Sequence, residues 1–182
     1  TVGLLNALHA LDSRMIPKRA LAQQAIHIEQ NVIKENVGSQ DQIWATYGGI
    51  NRIDFHYDES FQVRPLIMSS ERRQELLSSF LLVFTGLSRY ASDVAKKKIA
   101  NLEDRTAQIE RMVEMVDEAE EVLTSNAPIT DFGQMLDETW RRKKEISGDI
   151  SNAAIDEIFE SAKSAGALSG KLLGAGAGGF TL

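Results

Sequence analysis

The sequence predicts an α+β protein, and three observations carry the prediction. Apolar residues recur at helical spacing through most of the chain. Residues 51–57 alternate between apolar and polar side chains, as a half-buried strand does. Near the C-terminal end, a loop made only of glycine and alanine separates two strand-like stretches. With 182 residues, 43% of them hydrophobic and 25% charged, the chain has room for one large domain or parts of two, and for a real core.

Val2 to Leu11 reads as a buried helix, with Leu4, Leu5, Leu8 and Leu11 at helical spacing. Pro17 suits the first turn of a second helix running to about Lys34, on which Leu21, Ala25, Ile28 and Val32 share a face. Glu35 to Asp41 contains the turn formers Asn36, Gly38 and Ser39 and reads as a loop, with a short helical turn to Tyr47 before Gly48 and Gly49. Asn51, Ile53, Phe55 and Tyr57 alternate with Arg52, Asp54 and His56. Asp58, Glu59 and Ser60 turn the chain into a returning strand, Phe61 to Ile67, which Pro65 confines to an edge or to its end.

Ser70 to Ser79 reads as a short charged helix, and the apolar run Phe80 to Phe84 as a strand buried on both faces. The period changes here, which places a domain boundary near residues 68–72, with 1–70 in one domain and 71–182 in the next. Four helices come after it: Tyr90 to Ala100, Asp104 to Ser125, Phe132 to Asp149 after the cap candidates Thr130 and Asp131, and Ala153 to Ala165 after Asn152. The acidic residues of the second of these, Glu110 to Glu121, form a solvated face rather than a metal site. Gly166 is a stop signal. Ser169 to Leu173 and Phe180 to Leu182 read as two strands around the glycine-rich loop.

The net charge of −6 argues against a nucleic-acid surface or a polybasic membrane patch, so any anionic ligand must be held locally. The absence of cysteine excludes disulfides, thiolate metal sites and a cysteine nucleophile. No apolar run approaches about 18 residues, so no membrane span is predicted. A soluble, cytoplasmic protein is expected. His9, His27 and His56 are scattered without metal-ligand spacing and take no role.

The loop Gly174, Ala175, Gly176, Ala177, Gly178, Gly179 formally matches G-x-G-x-x-G. A dinucleotide site, however, needs a helix directly after the loop and an acidic residue about 20 positions on, and neither is present. By itself the loop is also compatible with a tight glycine hairpin. Taken with Gly170, Lys171, Leu172 and Leu173 before it and Phe180 after it, the stretch resembles the third signature motif of the GHMP kinases. The resemblance extends back through Trp140, Lys143 or Lys144, Ile150, Ser151 and Asn152 to the heptose-phosphate branch. It implies a GHMP kinase fold, with the end of the N-terminal domain followed by most of a ferredoxin-like C-terminal domain. It also implies that residues 174–179 lie beside the phosphates of ATP.

Two further segments carry the same resemblance. Gly38, Ser39, Gln40, Asp41 and Gln42, with Gly48 and Gly49 seven and eight residues after Asp41, resemble the loop that brings an aspartate to the acceptor hydroxyl. Asp41 is then the base candidate, and Gly48 and Gly49 are substrate-side candidates. Asp41 read alone is an ordinary turn or cap residue. Glu29 stands where the family has a glutamate that helps to hold Mg²⁺, a hard cation suited to carboxylate oxygen. Read alone, Glu29 is a solvated helix residue.

Thr85, Gly86 and Arg89 come after the Phe80 to Phe84 run and resemble a Thr-Gly-x-x-Arg-like pattern of heptose-phosphate and fucose kinases. Arg89 could pair with a substrate phosphate through its planar fork, or could simply be exposed at a helix start. The implied activity is ATP- and Mg²⁺-dependent phosphorylation of a sugar anomeric hydroxyl, with D-glycero-D-manno-heptose 7-phosphate as first choice. Fucose or galactose kinase activity, or a non-catalytic binding module, is the alternative. The expected partner is a small-molecule sugar or sugar phosphate, and a homodimer is compatible with the reading. The family's serine-rich phosphate loop and first motif would precede Thr1, so these 182 residues alone are expected to be inactive.

Overall fold

The computed structural model describes residues 1–87, 106–146, 150–174 and 178–182, which form two compact units, Thr1–Leu66 and Ile67–Leu182. Helices combine with small antiparallel sheets, the α+β class the sequence predicts. The predicted helix Tyr90 to Ala100 lies outside the described residues.

In the first unit, α1 (Val2–Leu11) is helical as predicted, but it is not buried. Its half-buried face is Val2, Leu5 and His9, while Leu4, Leu8 and Leu11 are exposed. Leucine spacing defines a face without saying what covers it, and that is why the expectation of burial fails. Pro17 is the extended residue preceding α2 (Lys18–His27) rather than part of its first turn, and its carbonyl accepts the Leu21 N–H at 3.0 Å. Leu21, Ala22 and Ala25 are buried.

The helix then widens into one π-helical turn, Ile28–Val32, in which the Ile33 N–H reaches the Ile28 carbonyl at 2.8 Å. The wider turn rotates the buried face, so Val32 is exposed instead of continuing the line from Ala25. Lys34, with φ 61°, is already past the helix end. Gln40–Tyr47 forms a full helix, α3, longer than the turn expected.

Strands β1 (Asn51–Phe55) and β2 (Phe61–Pro65) pair antiparallel, with Ile53 opposite Val63 and Phe55 opposite Phe61. Both are two residues shorter than predicted. The intervening turn is closed by the Ser60 N–H donating to Asp58 Oδ1 at 3.0 Å, and the hydrogen bonds from Ser60 hold the Asp58 carboxyl below the usual carboxylate range. Ala22, Ile43 and Phe61 make the core, packed by Ile26, Tyr47, Ile53 and Val63. Tyr47 and Phe61 meet edge to face at 6.4 Å.

In the second unit, α4 (Ser70–Ser78) is capped by Ser69 Oγ, which accepts the Arg72 N–H at 3.0 Å. The Arg72 guanidinium bonds Glu75 at 2.7 Å and the Val122 carbonyl at 2.6 Å, tying α4 to the end of α5 (Thr106–Thr124). Helix α6 (Ile129–Ile146) starts three residues before the predicted Phe132, because the chain becomes helical directly after Pro128. Arg111 of α5 reaches Glu118 and, at 3.3 Å, Glu138 of α6, which also takes Arg142 at 2.8 Å. Helix α7 (Ala153–Ser164) is capped by Asn152 Oδ1 on the Ile155 N–H and is stopped by Gly166 at φ 102°.

Trp140, Ile150, Ile155 and Leu172 form the core, with Leu87 and Phe159 against them. The predicted doubly buried strand Phe80 to Phe84 is corrected: only Val83–Phe84 (β3) is strand, and Leu81, Leu82 and Phe84 are exposed. Strand β4 (Phe180–Thr181) pairs antiparallel with β3, leaving one face of this narrow ribbon uncovered within the described residues. The predicted strand Ser169 to Leu173 reduces to a bridge between Leu172 and Thr181, extended by mutual N–H to carbonyl bonds of Lys171 and Leu182 at 2.8 and 2.9 Å. Burial pushes the Lys171 ammonium below its ordinary pKa. Among the described residues, no helix is long and apolar enough to cross a membrane.

Candidate functional site

The candidate residues fall into two groups, one in each unit. In the first, Glu29 lies inside the π-helical turn, a distortion that recurs at functional sites because it redirects a side chain without breaking the helix. The segment after it is stapled back by Gln30, whose Nε2 donates to the Val37 carbonyl at 2.9 Å and to Ser39 Oγ at 3.2 Å. Ser39 precedes α3 but does not cap it with its side chain.

Asp41 is therefore in the first turn of a helix and not in the expected loop. It is exposed, and the positive end of the helix dipole favours its carboxylate there. The next residue, Gln42, is buried at 5% exposure, and its Nε2 donates to Glu29 Oε2. That bond links the segment bearing Glu29 to the residue beside Asp41.

Gly48 and Gly49 end α3 with positive φ, 66° and 75°, a conformation that strains any L side chain. Their carbonyls take Asn51 Nδ2 at 2.6 Å and Trp44 Nε1 at 3.2 Å respectively. The helix stop thus accounts for both glycines, and a substrate role is additional to it.

In the second unit the structure brings the Thr85–Gly86 turn onto the end of the glycine-rich loop. The Gly179 carbonyl accepts both the Thr85 N–H and Thr85 Oγ1–H, each at 2.9 Å, and the Gly179 N–H donates to the Leu87 carbonyl at 2.8 Å. Gly86, Gly174 and Gly179 have φ of 73°, 71° and 98°. A Cβ on Gly178 would lie 2.8 Å from the Leu87 carbonyl oxygen, so only glycine fits. At the other end of the loop, Lys143 Nζ donates to the Gly174 carbonyl at 3.0 Å. Ala175, Gly176 and Ala177, and Arg89, lie outside the described residues.

Sequence reading missed the three tethers Gln30, Gln42 and Leu87. Gln42 carried none, because its partner Glu29 lies 13 residues away in another element. Leu87 carried none, because it acts through its main chain.

Among the described residues, no three His, Cys, Asp or Glu side chains converge as a metal cage. Mg²⁺ does not need one: it is commonly held by one or two carboxylates together with substrate phosphates and water. The Glu29 carboxylate, with Oε2 on Gln42, fits that mode.

This architecture is that of the GHMP kinases, and residues 125–182 match the family described as "GHMP kinases C terminal". That match identifies the segment holding α6, α7 and the glycine-rich loop as a GHMP kinase C-terminal domain. The chain is also 33% identical over 181 residues to the D-glycero-alpha-D-manno-heptose 7-phosphate kinase of Campylobacter jejuni, covering 98% of this chain and 53% of that protein. Among solved structures, a D-glycero-D-manno-heptose 1-phosphate kinase from Bacteroides thetaiotaomicron is similar at 26% identity and a TM-score of 0.61, over 100% of this chain and 49% of the other. The L. major mevalonate kinase in complex with R-mevalonate shares the fold at 20% identity and a TM-score of 0.71, over 99% and 53%. The chain spans about half the length of these proteins.

Proposed function

We propose that the complete polypeptide carrying this chain transfers the γ-phosphoryl group of ATP to the anomeric hydroxyl of D-glycero-D-manno-heptose 7-phosphate, giving the 1,7-bisphosphate and ADP in the cytoplasm. The observation that carries this reading is the 33% identity to a heptose 7-phosphate kinase along 98% of the chain. In this reading, Asp41 orients the acceptor hydroxyl and takes its proton as the oxygen attacks the γ-phosphorus and ADP departs. Its exposure in the first turn of α3 leaves the carboxylate accessible to a substrate.

Glu29 contributes a carboxylate to Mg²⁺, which when bound neutralises charge on the phosphate oxygens. The glycine-rich loop, residues 174–179, holds the nucleotide phosphates in this reading. Gly48, Gly49, Thr85 and Gly86 shape the sugar site, and Arg89 pairs with the phosphate already on the sugar.

The test is ATP consumption by the complete polypeptide across heptose 7-phosphate, fucose and galactose. The highest specificity constant is expected for heptose 7-phosphate. A preference for fucose or galactose moves the substrate assignment, and no sugar-dependent ATP consumption rejects the kinase reading.

A further inference from the structure

The buried carboxamide of Gln42 has one of its two polar ends matched. Its Nε2 donates to Glu29 Oε2, while its Oε1 is buried with no hydrogen-bond partner among the described residues. Buried polar atoms are nearly always paired, and leaving one unpaired costs free energy. The amide therefore accepts an unmatched acceptor in order to present its donor to Glu29. The reverse orientation would set two acceptor oxygens against each other.

The backbone points the same way. Glu29 lies in the single π-helical turn that continues α2, and Gln42 comes from the neighbouring helix α3, whose adjacent Ile43 is fully buried and anchors it. The two side chains therefore meet across two packed elements rather than by chance on one surface.

We infer that Gln42 is a positioning residue, which fixes one oxygen of the Glu29 carboxylate so that the other is held ready for a divalent cation. The inference rests on the proposed reading of Glu29 as the carboxylate that meets Mg²⁺. Partners that orient a metal-ligating carboxylate contribute through the rotamer they remove, and losing one typically weakens metal binding about 10- to 100-fold. A glutamine suits this place better than a lysine or arginine, because it fixes the carboxylate without cancelling its charge.

The test uses the complete polypeptide, Mn²⁺ as the probe and a non-hydrolysable imido analogue of ATP, with bound Mn²⁺ read by electron paramagnetic resonance and folding read by thermal melting. Gln42→Met keeps the length and removes the donor. It is expected to weaken Mn²⁺ binding about 10- to 100-fold in a folded protein. Glu29→Gln is expected to weaken it at least as much, and adding Gln42→Met to Glu29→Gln is expected to change nothing further. Should Gln42→Met not fold, Gln42→Leu, which also removes the donor and buries no charge, is expected to show the same loss. Wild-type Mn²⁺ affinity in a folded Gln42 variant, or additive losses in the double variant, overturns the inference while leaving Glu29 as a ligand. Unchanged affinity in Glu29→Gln overturns the underlying reading of the site, and this inference with it.

Discussion

Around Glu29 and Asp41 the structure holds the chain mainly with side-chain hydrogen bonds, whereas at the C-terminal end of the glycine-rich loop it does so mainly with the main chain. Glu29 is held by the Gln42 carboxamide, and the loop before Asp41 by the Gln30 carboxamide. Among the described residues, Gly179 is held by backbone bonds to Thr85 and Leu87 with Thr85 Oγ1 beside them, Lys143 Nζ holds the Gly174 carbonyl, and Gly178 is fixed by the lack of room for a Cβ beside Leu87. In the first region, the exposed Asp41 side chain can therefore be changed without touching the bonds that hold the segment. In the second, sequence and fold are closely tied, because Gly178 has no room for a Cβ and Gly174 and Gly179 sit at positive φ.

The largest expected effect lies in the first region. Asp41→Asn should lower turnover by about 10²- to 10⁴-fold, the usual contribution of a positioned acid or base, with nucleotide affinity and melting temperature nearly unchanged. Steady-state kinetics and a thermal melt on the complete polypeptide check both halves, and a large drop in melting temperature would erase the contrast between the regions. Next comes Arg89→Ala, expected to weaken use of a sugar phosphate about 10- to 100-fold more than use of a neutral sugar, in line with a charge-assisted hydrogen bond. Equal losses on both substrates would remove Arg89 as the reader of the phosphate.

In the second region, Gly178→Ala should cost about 1–3 kcal/mol of stability, because the added methyl meets the Leu87 carbonyl and the turn has to shift. Denaturant titration measures this, and a variant as stable as the wild type would show that the main chain does not fix this turn.

Much of the fold was legible in the sequence. Periodicity and local signals found α4, α7 and the β1–β2 hairpin within a few residues, and the start of α2, since Pro17, Asn152, Asp58 and Gly166 each act locally. What periodicity could not supply was the partner of a face: the Leu4, Leu8, Leu11 stripe and the Leu81, Leu82, Phe84 run are apolar yet exposed in the described chain. The π-helical turn at Ile28–Val32 was equally hidden, since its composition is that of an α-helix and only tertiary packing selects the wider turn.

For the candidate site, glycine spacing pointed to the loop and its flanks, but the bond between Gln42 and Glu29 joins residues 13 apart in the chain and no short motif encodes it.

The smallest effect tests an element outside both regions. The Arg142 and Arg111 guanidinium groups hold the Glu138 carboxyl below its ordinary pKa. A depressed carboxyl pKa stabilises the fold above the unfolded value of about 4.3, and that stability is lost as pH falls through the folded value. Glu138→Gln should therefore cost under about 1 kcal/mol at pH 7. The difference from wild type should shrink towards zero in acid, below the folded value, as measured by urea titration at several pH values. A gap that stays constant with pH would mean that the charge of Glu138 is not what joins α5 to α6.

Phosphoryl transfer itself is tested most directly by a ³¹P nuclear magnetic resonance time course of the complete polypeptide with Mg·ATP and D-glycero-D-manno-heptose 7-phosphate. ADP should appear in step with one new sugar phosphate resonance at the anomeric position, the 7-phosphate signal remaining, and Asp41→Asn should abolish both over the same period. ADP forming without a new sugar phosphate, or the new phosphate appearing undiminished in Asp41→Asn, would contradict the assignment of a heptose-phosphate kinase with Asp41 at its acceptor hydroxyl.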